Sequence, residues 1–248
     1  MLIPPHTVSV KLLTINVHKG LCQLHRRPII VELKEAVSRV DVDVVCLQEV
    51  LGVREGQRPQ YETLADTIWS DHAYGKNAAG PSGDHGNAIL SRWPIAQSRN
   101  HDVSQPGDEA RGVLHCQLTL AGIPSGLHVF CVHLGLRDSH RRHQMARLVE
   151  LLADLPANAP VVVAGDFNDW QQRADAQLAP VGLREVHVIS QGRPRRSFPA
   201  VWPVLALDRI YVRGMAASKP LPLPRRPWWA LSDHIPVGAS LSLHKEAA

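Results

Sequence analysis

Short runs of Val, Ile and Leu recur along the chain, each bounded by turn residues: VSVKLLTINV, DVVCLQEV, GNAILSR, VLHCQLTL, LHVFCVHLG, PVVVAGDFN, LDRIYVR and PVGASLSL. Runs of this length and composition predict strands. Two longer segments repeat with helical spacing instead. PIIVELKEAVSRV places Ile29, Ile30, Leu33, Val37 and Val40 on one face, and SHRRHQMARLVELLADL does so with Leu148, Leu151, Leu152 and Leu155, so both predict amphipathic helices packed on a sheet. Strands follow one another in the middle of the chain rather than alternating strictly with helices. That order predicts an α/β protein of two packed sheets flanked by helices, not one doubly wound sheet. Repeats, linkers and low-complexity tracts are missing from the sequence. The Pro/Arg-rich stretch 191–227 is the one compositional shift and reads as an elaborated loop region, so a single domain over residues 1–248 is expected.

Composition changes this picture little. Hydrophobic residues make up 44% and charged residues 20%, which predicts a sizeable buried core and excludes a disordered chain. No apolar run approaches the roughly 20 residues that span a bilayer. The start, MLIPPHTVSVKLLTINV, lacks an early positive charge and has prolines where a signal peptide has its apolar centre, so a cytoplasmic location is expected. Cys22, Cys46, Cys116 and Cys131 are far apart and show no CxxC spacing. Three of them sit inside apolar runs, so buried free thiols are expected rather than a zinc site or disulfides.

Charge is unevenly placed. The chain carries +4, but residues 184–227 hold nine Lys/Arg against Glu185 and Asp208, hence +7, and the rest carries −3. Such a segment suits a polyanion or an anionic lipid surface, or is simply a solvated loop.

Polar residues stand at the ends of the apolar runs. Asn16 ends TIN, Glu49 ends CLQE, His133 ends FCVH, Asp166 and Asn168 end VVVAGDFN, Asp208 begins DRIYV, and Asp233 with His234 precedes the last strand. Strand ends hold functional groups on a rigid scaffold, and residues two apart in a strand share a side, so Asp166 and Asn168 can present oxygens in one direction. Carboxylates and amides without thiols suit Mg2+ or Mn2+ better than zinc. Taken singly, each of these residues is also an ordinary turn former or a satisfied strand-end polar group.

Taken together, TINVHKG, LQEV, GNAILSRWPI, CVHLG, VAGDFND, LDRIYV and LSDHIPV resemble, in order and spacing, the endonuclease/exonuclease/phosphatase superfamily from about Thr14 to Val237. The resemblance implies the deoxyribonuclease I-like fold, a four-layer α/β/β/α sandwich of two mixed sheets flanked by helices. It implies metal binding by Asn16, Glu49 and Asp233, and it places Asp166 and Asn168 where they orient the attacking water and the phosphate. His234, oriented by Asp208, would touch the scissile phosphate, and His133 would stabilise charge or protonate the leaving oxygen. His133 stands where abasic-site endonucleases carry tyrosine, which argues against a dedicated abasic-site repair role. Asn87 and Arg111 lie where family members place phosphate-contacting groups. Lys19 and His18 are weaker candidates, and Trp228 and Trp229 could stack on a base or meet a lipid interface, or simply pack.

The function implied is Mg2+- or Mn2+-dependent hydrolysis of phosphodiester bonds, with nucleic acid as the leading substrate. A phospholipid or sphingomyelinase-like phosphodiesterase, with peripheral contact to anionic lipid, and a small-molecule phosphatase on the same site are the alternatives. A catalytically dead binding module is disfavoured because every expected position is filled. No protein partner is implied.

Overall fold

The structure, a computed structural model, describes residues 7–22, 27–53, 56–80 and 83–245. Residues 1–6, part of the segment behind the expectation about a leader, lie outside these, as do the last residues of the expected 1–248 domain.

Two six-stranded sheets form the centre. The first has the order β11 (Ala217–Pro220), β12 (Val237–His244), β1 (Thr7–Asn16), β2 (Val44–Leu51), β4 (Gly83–Ser91), β3 (Asp71–Gly80). The second runs β5 (Ile95–Asp102), β6 (Gly112–Leu120), β7 (Ile123–His133), β8 (Val161–Asp166), β10 (Asp208–Arg213), β9 (Arg184–Glu185). Among the described residues β1–β2 and β7–β8 pair in parallel, and the other neighbours are antiparallel.

Alternation along the strands builds the layers. Leu12, Val44, Cys46, Val162 and Ala164 point into the seam between the sheets. Their neighbours Leu13, Val45 and Leu47 face outward beneath α1 (Ile30–Val40) and α2 (Gln60–Ala65), with Leu33, Val37 and Leu64 in the same cluster. Val161 and Val163 face outward beneath α3 (Asp138–Ala153) and α4 (Ala174–Leu178), with Met145, Leu148 and Leu152. Strands buried on both faces read as continuous apolar runs, which is why the runs named above were visible. The result is the four-layer α/β/β/α sandwich of two mixed sheets. All four cysteines are free and buried, and burial pushes the Cys116 thiol up to about 12.

Four strands had no apolar run to announce them. β3, DHAYGKNAAG, is rich in Gly, Ala and Asn, and β5, IAQSRNHD, is mostly exposed. Both are edge strands whose conformation is imposed by a paired neighbour rather than by propensity. β9 and β11 are edge strands of two and four residues. The stretch 191–227 contains β10 and β11 within its irregular backbone. Part of its positive charge is internal: Arg209 is fully buried, donating to the Ala206 and Asp169 carbonyls and the Tyr211 hydroxyl, while Arg213 donates to the Val181, Leu152 and Pro156 carbonyls.

Candidate active site

The two parallel pairs end together. β1 delivers Asn16, β2 delivers Glu49, β7 delivers His133 and β8 delivers Asp166, with His133 directly opposite Asp166 in the β7–β8 register and Asp208, at the start of β10, opposite Asp166 on its other side. One rim of the sandwich therefore collects polar groups from both sheets.

Glu49 reaches the rim through a bulge. Gln48 and Glu49 together face only Asn87 between the pairs Leu47↔Ala88 and Val50↔Gly86, and Glu49 takes a left-handed conformation, φ 56°. A two-against-one bulge re-aims a side chain at the end of a strand. The β8 approach uses Gly165 at φ +148°, where an added Cβ would come within 2.0 Å of the Val132 carbonyl oxygen. Only glycine lets β8 pass so close to β7 just before Asp166.

At the centre, Asn16 Nδ2 donates to Glu49 Oε1 and to Asp166 Oδ2, each at 3.2 Å. His133 Nε2 lies 3.6 Å from Asp166 Oδ2 and 4.0 Å from Glu49 Oε1. Asp166 Oδ1 accepts the Asn168 backbone N–H at 2.9 Å, and the Asn168 amide donates to the Leu134 carbonyl at 2.8 Å. On the other flank His234 Nδ1 and Asp208 Oδ2 are 2.7 Å apart, and His234 Nε2 points back to Asp166 Oδ2 at 3.9 Å. Asp233 stands aside, its carboxylate 3.2 Å from His18 Nδ1 and 3.2 Å from the Ser232 hydroxyl.

Burial decides the charges. Desolvation raises the Asp166 carboxyl and the Asp208 charge adds to this, against the opposing pull of His234, leaving it at about 6. Burial alone would strip His234 of its proton, but the Asp208 and Asp166 carboxylates outweigh it and push the imidazole up to about 10. His133 goes the other way: burial, then the positive charges of Arg111 and His234, hold it well below the ordinary histidine value. At neutral pH the site thus contains a carboxylate, an imidazolium and a neutral imidazole within a few ångströms.

The donor set fits a hard divalent cation. It offers the Glu49 and Asp166 carboxylates and the Asn16 amide without a thiol. The buried Asp208 Oδ1 has no hydrogen-bond partner among the described residues, and Asp166, Asp208 and His234 each offer a ligand atom within 4.8 Å of the others.

Asn87 and Arg111 sit differently from the centre. Asn87 is fully buried, and its amide donates to the Gly112 and Cys131 carbonyls, strapping the first sheet to the second beneath the rim. Arg111 is also buried, paired with Glu109 at 2.5 Å, and Glu109 in turn meets His85 at 2.8 Å. Trp228 packs in the core under α1, whereas Trp229 is half-buried.

Three supporting residues escaped the sequence reading. Ser232 donates to the Asn16 backbone carbonyl at 2.7 Å and so ties the SDH turn to β1. Ser197 Oγ accepts the Asp208 N–H at 3.1 Å, and the Phe198 ring lies 4.9 Å from the His234 ring. SFP precedes LDRI by several residues, but only folding shows that they meet.

Comparison with known proteins adds a family. The sequence profile of the endonuclease/exonuclease/phosphatase family matches residues 13–234. A protein of Escherichia coli (strain K12), named Uncharacterized protein YbhP, is 50% identical over 245 residues, covering 95% of this chain and 97% of the relative. Among solved structures, an endonuclease/exonuclease/phosphatase from Beutenbergia cavernae superposes with a TM-score of 0.72 at 18% identity, over 97% of this chain and 72% of that one. Truncated TDP2 of Caenorhabditis elegans gives 0.68 at 19% identity, over 94% and 97%. TDP2 of D. rerio complexed with a single-strand DNA product gives 0.66 at 20% identity, over 94% and 98%. The chain therefore belongs to the endonuclease/exonuclease/phosphatase family, whose members are metal-dependent phosphoric ester hydrolases.

Proposed function

We propose that this protein hydrolyses phosphodiester bonds with Mg2+ or Mn2+, and that a nucleic-acid strand is its substrate. The observation that carries the reading is the meeting of Asn16, Glu49, His133, Asp166 and the Asp208–His234 pair at one rim, drawn from both sheets. The positive segment near the rim, Arg193 to Arg196 leading into Ser197, and the family's DNA-bound neighbour support nucleic acid.

Asn16, Glu49 and Asp166 would hold the metal, with Asp233 at its outer side; when bound, the metal neutralises phosphoryl oxygens and lets an aligned water attack. The remaining steps belong to the chain. His234, held charged by Asp208, donates a hydrogen bond to a phosphoryl oxygen and stabilises the charge that builds there. Asp166, ionised at neutral pH, accepts the proton of the attacking water, and Asn168 steadies that carboxylate through its backbone N–H. His133, neutral, donates a hydrogen bond through one ring nitrogen to the leaving oxygen and stabilises the charge that develops there. Arg111 contributes positive field to this side.

A second reading, a phosphodiester carried at a membrane surface, is favoured by one feature: the apolar side chains exposed at residues 201–205.

A substrate panel tests the function. Supercoiled plasmid, single-stranded DNA, RNA, phospholipid vesicles and a soluble diester are compared with and without Mg2+, with His234→Ala as the control for contaminating nuclease. Nucleic-acid turnover that needs the metal and vanishes in the variant is expected. Turnover of vesicles alone would transfer the assignment to the second reading, and hydrolysis surviving in His234→Ala would remove the site.

A further inference from the structure

Four large apolar side chains stand exposed within five residues: Val201 (41%), Trp202 (73%), Val204 (48%) and Leu205 (36%). They occupy the tip of a tight hairpin. Leu205 N and Val204 N donate to the Phe198 carbonyl at 2.8 and 2.9 Å, Ser197 N and Phe198 N donate to the Leu205 carbonyl, and Trp202 N donates to Pro199. The stem is bolted to the catalytic rim: Ser197 holds the Asp208 backbone, Ala200 N donates to the Asp233 carbonyl at 2.7 Å, and Phe198 packs on His234. Folding the tip inward to hide its apolar surface would dismantle that rim.

The segment that carries the tip is one-sided in charge. From residue 186 to 232 the sequence contains a single carboxylate, Asp208, and it is buried. Arg193, Arg196, Arg225 and Arg226 are exposed along the same segment. Arg225 donates to the Val201 carbonyl, and Val201, Arg225, Arg226 and Trp229 line one open cleft. An apolar tip with arginines at its side and along the same segment has the chemistry of an interfacial anchor.

We propose that the 198–205 hairpin docks the protein on an anionic phospholipid surface, with Trp202, Val201 and Val204 entering the headgroup–acyl boundary and Arg196, Arg225 and Arg226 meeting lipid phosphates. A strand of nucleic acid would use the Trp202 ring but not three aliphatic side chains, which offer neither stacking nor hydrogen bonds. A second copy would bring one arginine rim against another. Docking holds the catalytic rim at headgroup level, because Ala200 joins the hairpin to the backbone of Asp233. The proposal deepens the membrane reading of the site, but its test measures binding without hydrolysis and is judged apart from any activity.

Flotation of the full chain with vesicles of phosphatidylcholine alone and of phosphatidylcholine mixed with phosphatidylglycerol decides the matter. Binding to the mixed vesicles, weakened by salt, is expected, with little to the neutral ones. Trp202→Glu and Trp202→Ala should each weaken it by about tenfold or more, as should Arg196→Glu combined with Arg226→Glu. The side chains replaced are exposed, so an unchanged melting temperature identifies a folded variant. No vesicle binding at low salt overturns the proposal, as does binding that Trp202→Glu leaves intact. If Trp202→Glu instead abolishes single-stranded DNA binding or a dimer while vesicles stay unbound, the tip serves that occupant and the lipid assignment falls.

Discussion

Asp208 never needs to touch a substrate to matter, since its effect passes through the imidazole it holds. Removing its charge takes away the largest support for the His234 proton while leaving the burial that opposes it. Asp208→Asn should therefore lower kcat by about 10^2- to 10^4-fold, the range typical of losing a positioned acid–base group. It should also bring the His234 titration, followed by NMR, down from about 10; an unchanged titration would mean that Asp208 does not control this histidine. Glu49→Ala and Asp166→Ala act more directly. Each removes an anionic ligand from a cluster of like charges, so hydrolysis should fall by at least about 10^2-fold while the melting temperature of the metal-free protein holds or rises. A variant that keeps most of its Mg2+-dependent rate would put the metal elsewhere.

At the scale of elements, the rim depends on how closely strands approach. Gly165→Ala would drive a Cβ against the Val132 carbonyl at a backbone angle that L-residues avoid, so a loss of at least about 2 kcal/mol is expected. Thermal unfolding of that variant should drop by several degrees, and a wild-type midpoint would show that β7 and β8 yield more easily than their spacing suggests. The outer face of β5–β6–β7 carries a different device. His115 stacks on Phe130 at 4.1 Å and meets His128 at 3.0 Å. Burial, with His128 and His101 nearby, lowers it to about 4. The unfolded chain therefore binds a proton here that the folded chain refuses. Stability should fall as the pH is lowered from about 6.5 towards 4. His115→Gln should flatten that dependence; an equally steep profile in the variant would assign it to other groups.

At the scale of the whole molecule, substrate class is a question of how much polyanion the surface can meet. Arg209 and Arg213 are spent internally, which leaves Arg184, Arg193, Arg196, Lys219, Arg225 and Arg226 of the basic segment exposed, four of them on either side of the hairpin at 193, 196, 225 and 226. If a DNA strand follows these residues, each phosphate contact adds about −0.9 to the log–log salt slope for a duplex. Reversing Arg196 and Arg226 to glutamate should then raise the apparent KM for DNA and flatten the slope, while a soluble diester with one phosphate responds much less. Equal responses from both substrates would reduce the segment to a general electrostatic background and remove the main support for nucleic acid beyond the family.

What could be read in the sequence was whatever is written locally or repeated as a motif. Runs such as VVVAGD and VVCLQEV are apolar because both faces of a central strand are buried, so eight strands, two helices and the layered sandwich were legible, as were the rim residues at the strand ends. The edge strands β3 and β5 were not, because Gly, Ala and Asn become strand only when a neighbour supplies the pairing. Nor does GNAILS disclose that Asn87 straps the two sheets together, or RGVL that Glu109 claims Arg111. The split between a charged His234 and a neutral His133 also has no signature in sequence, since both are histidines at strand ends. It arises from burial and from which charges lie within a few ångströms across the seam. The same holds for the hairpin: SFPAVWPVLAL lies in the stretch that reads as an elaborated loop, and only folding attaches its stem to Asp208, Asp233 and His234 and leaves Trp202 exposed. Local pattern determined the elements and the donor types, whereas long-range contacts decided which donors meet, which carry charge and which surface stays bare.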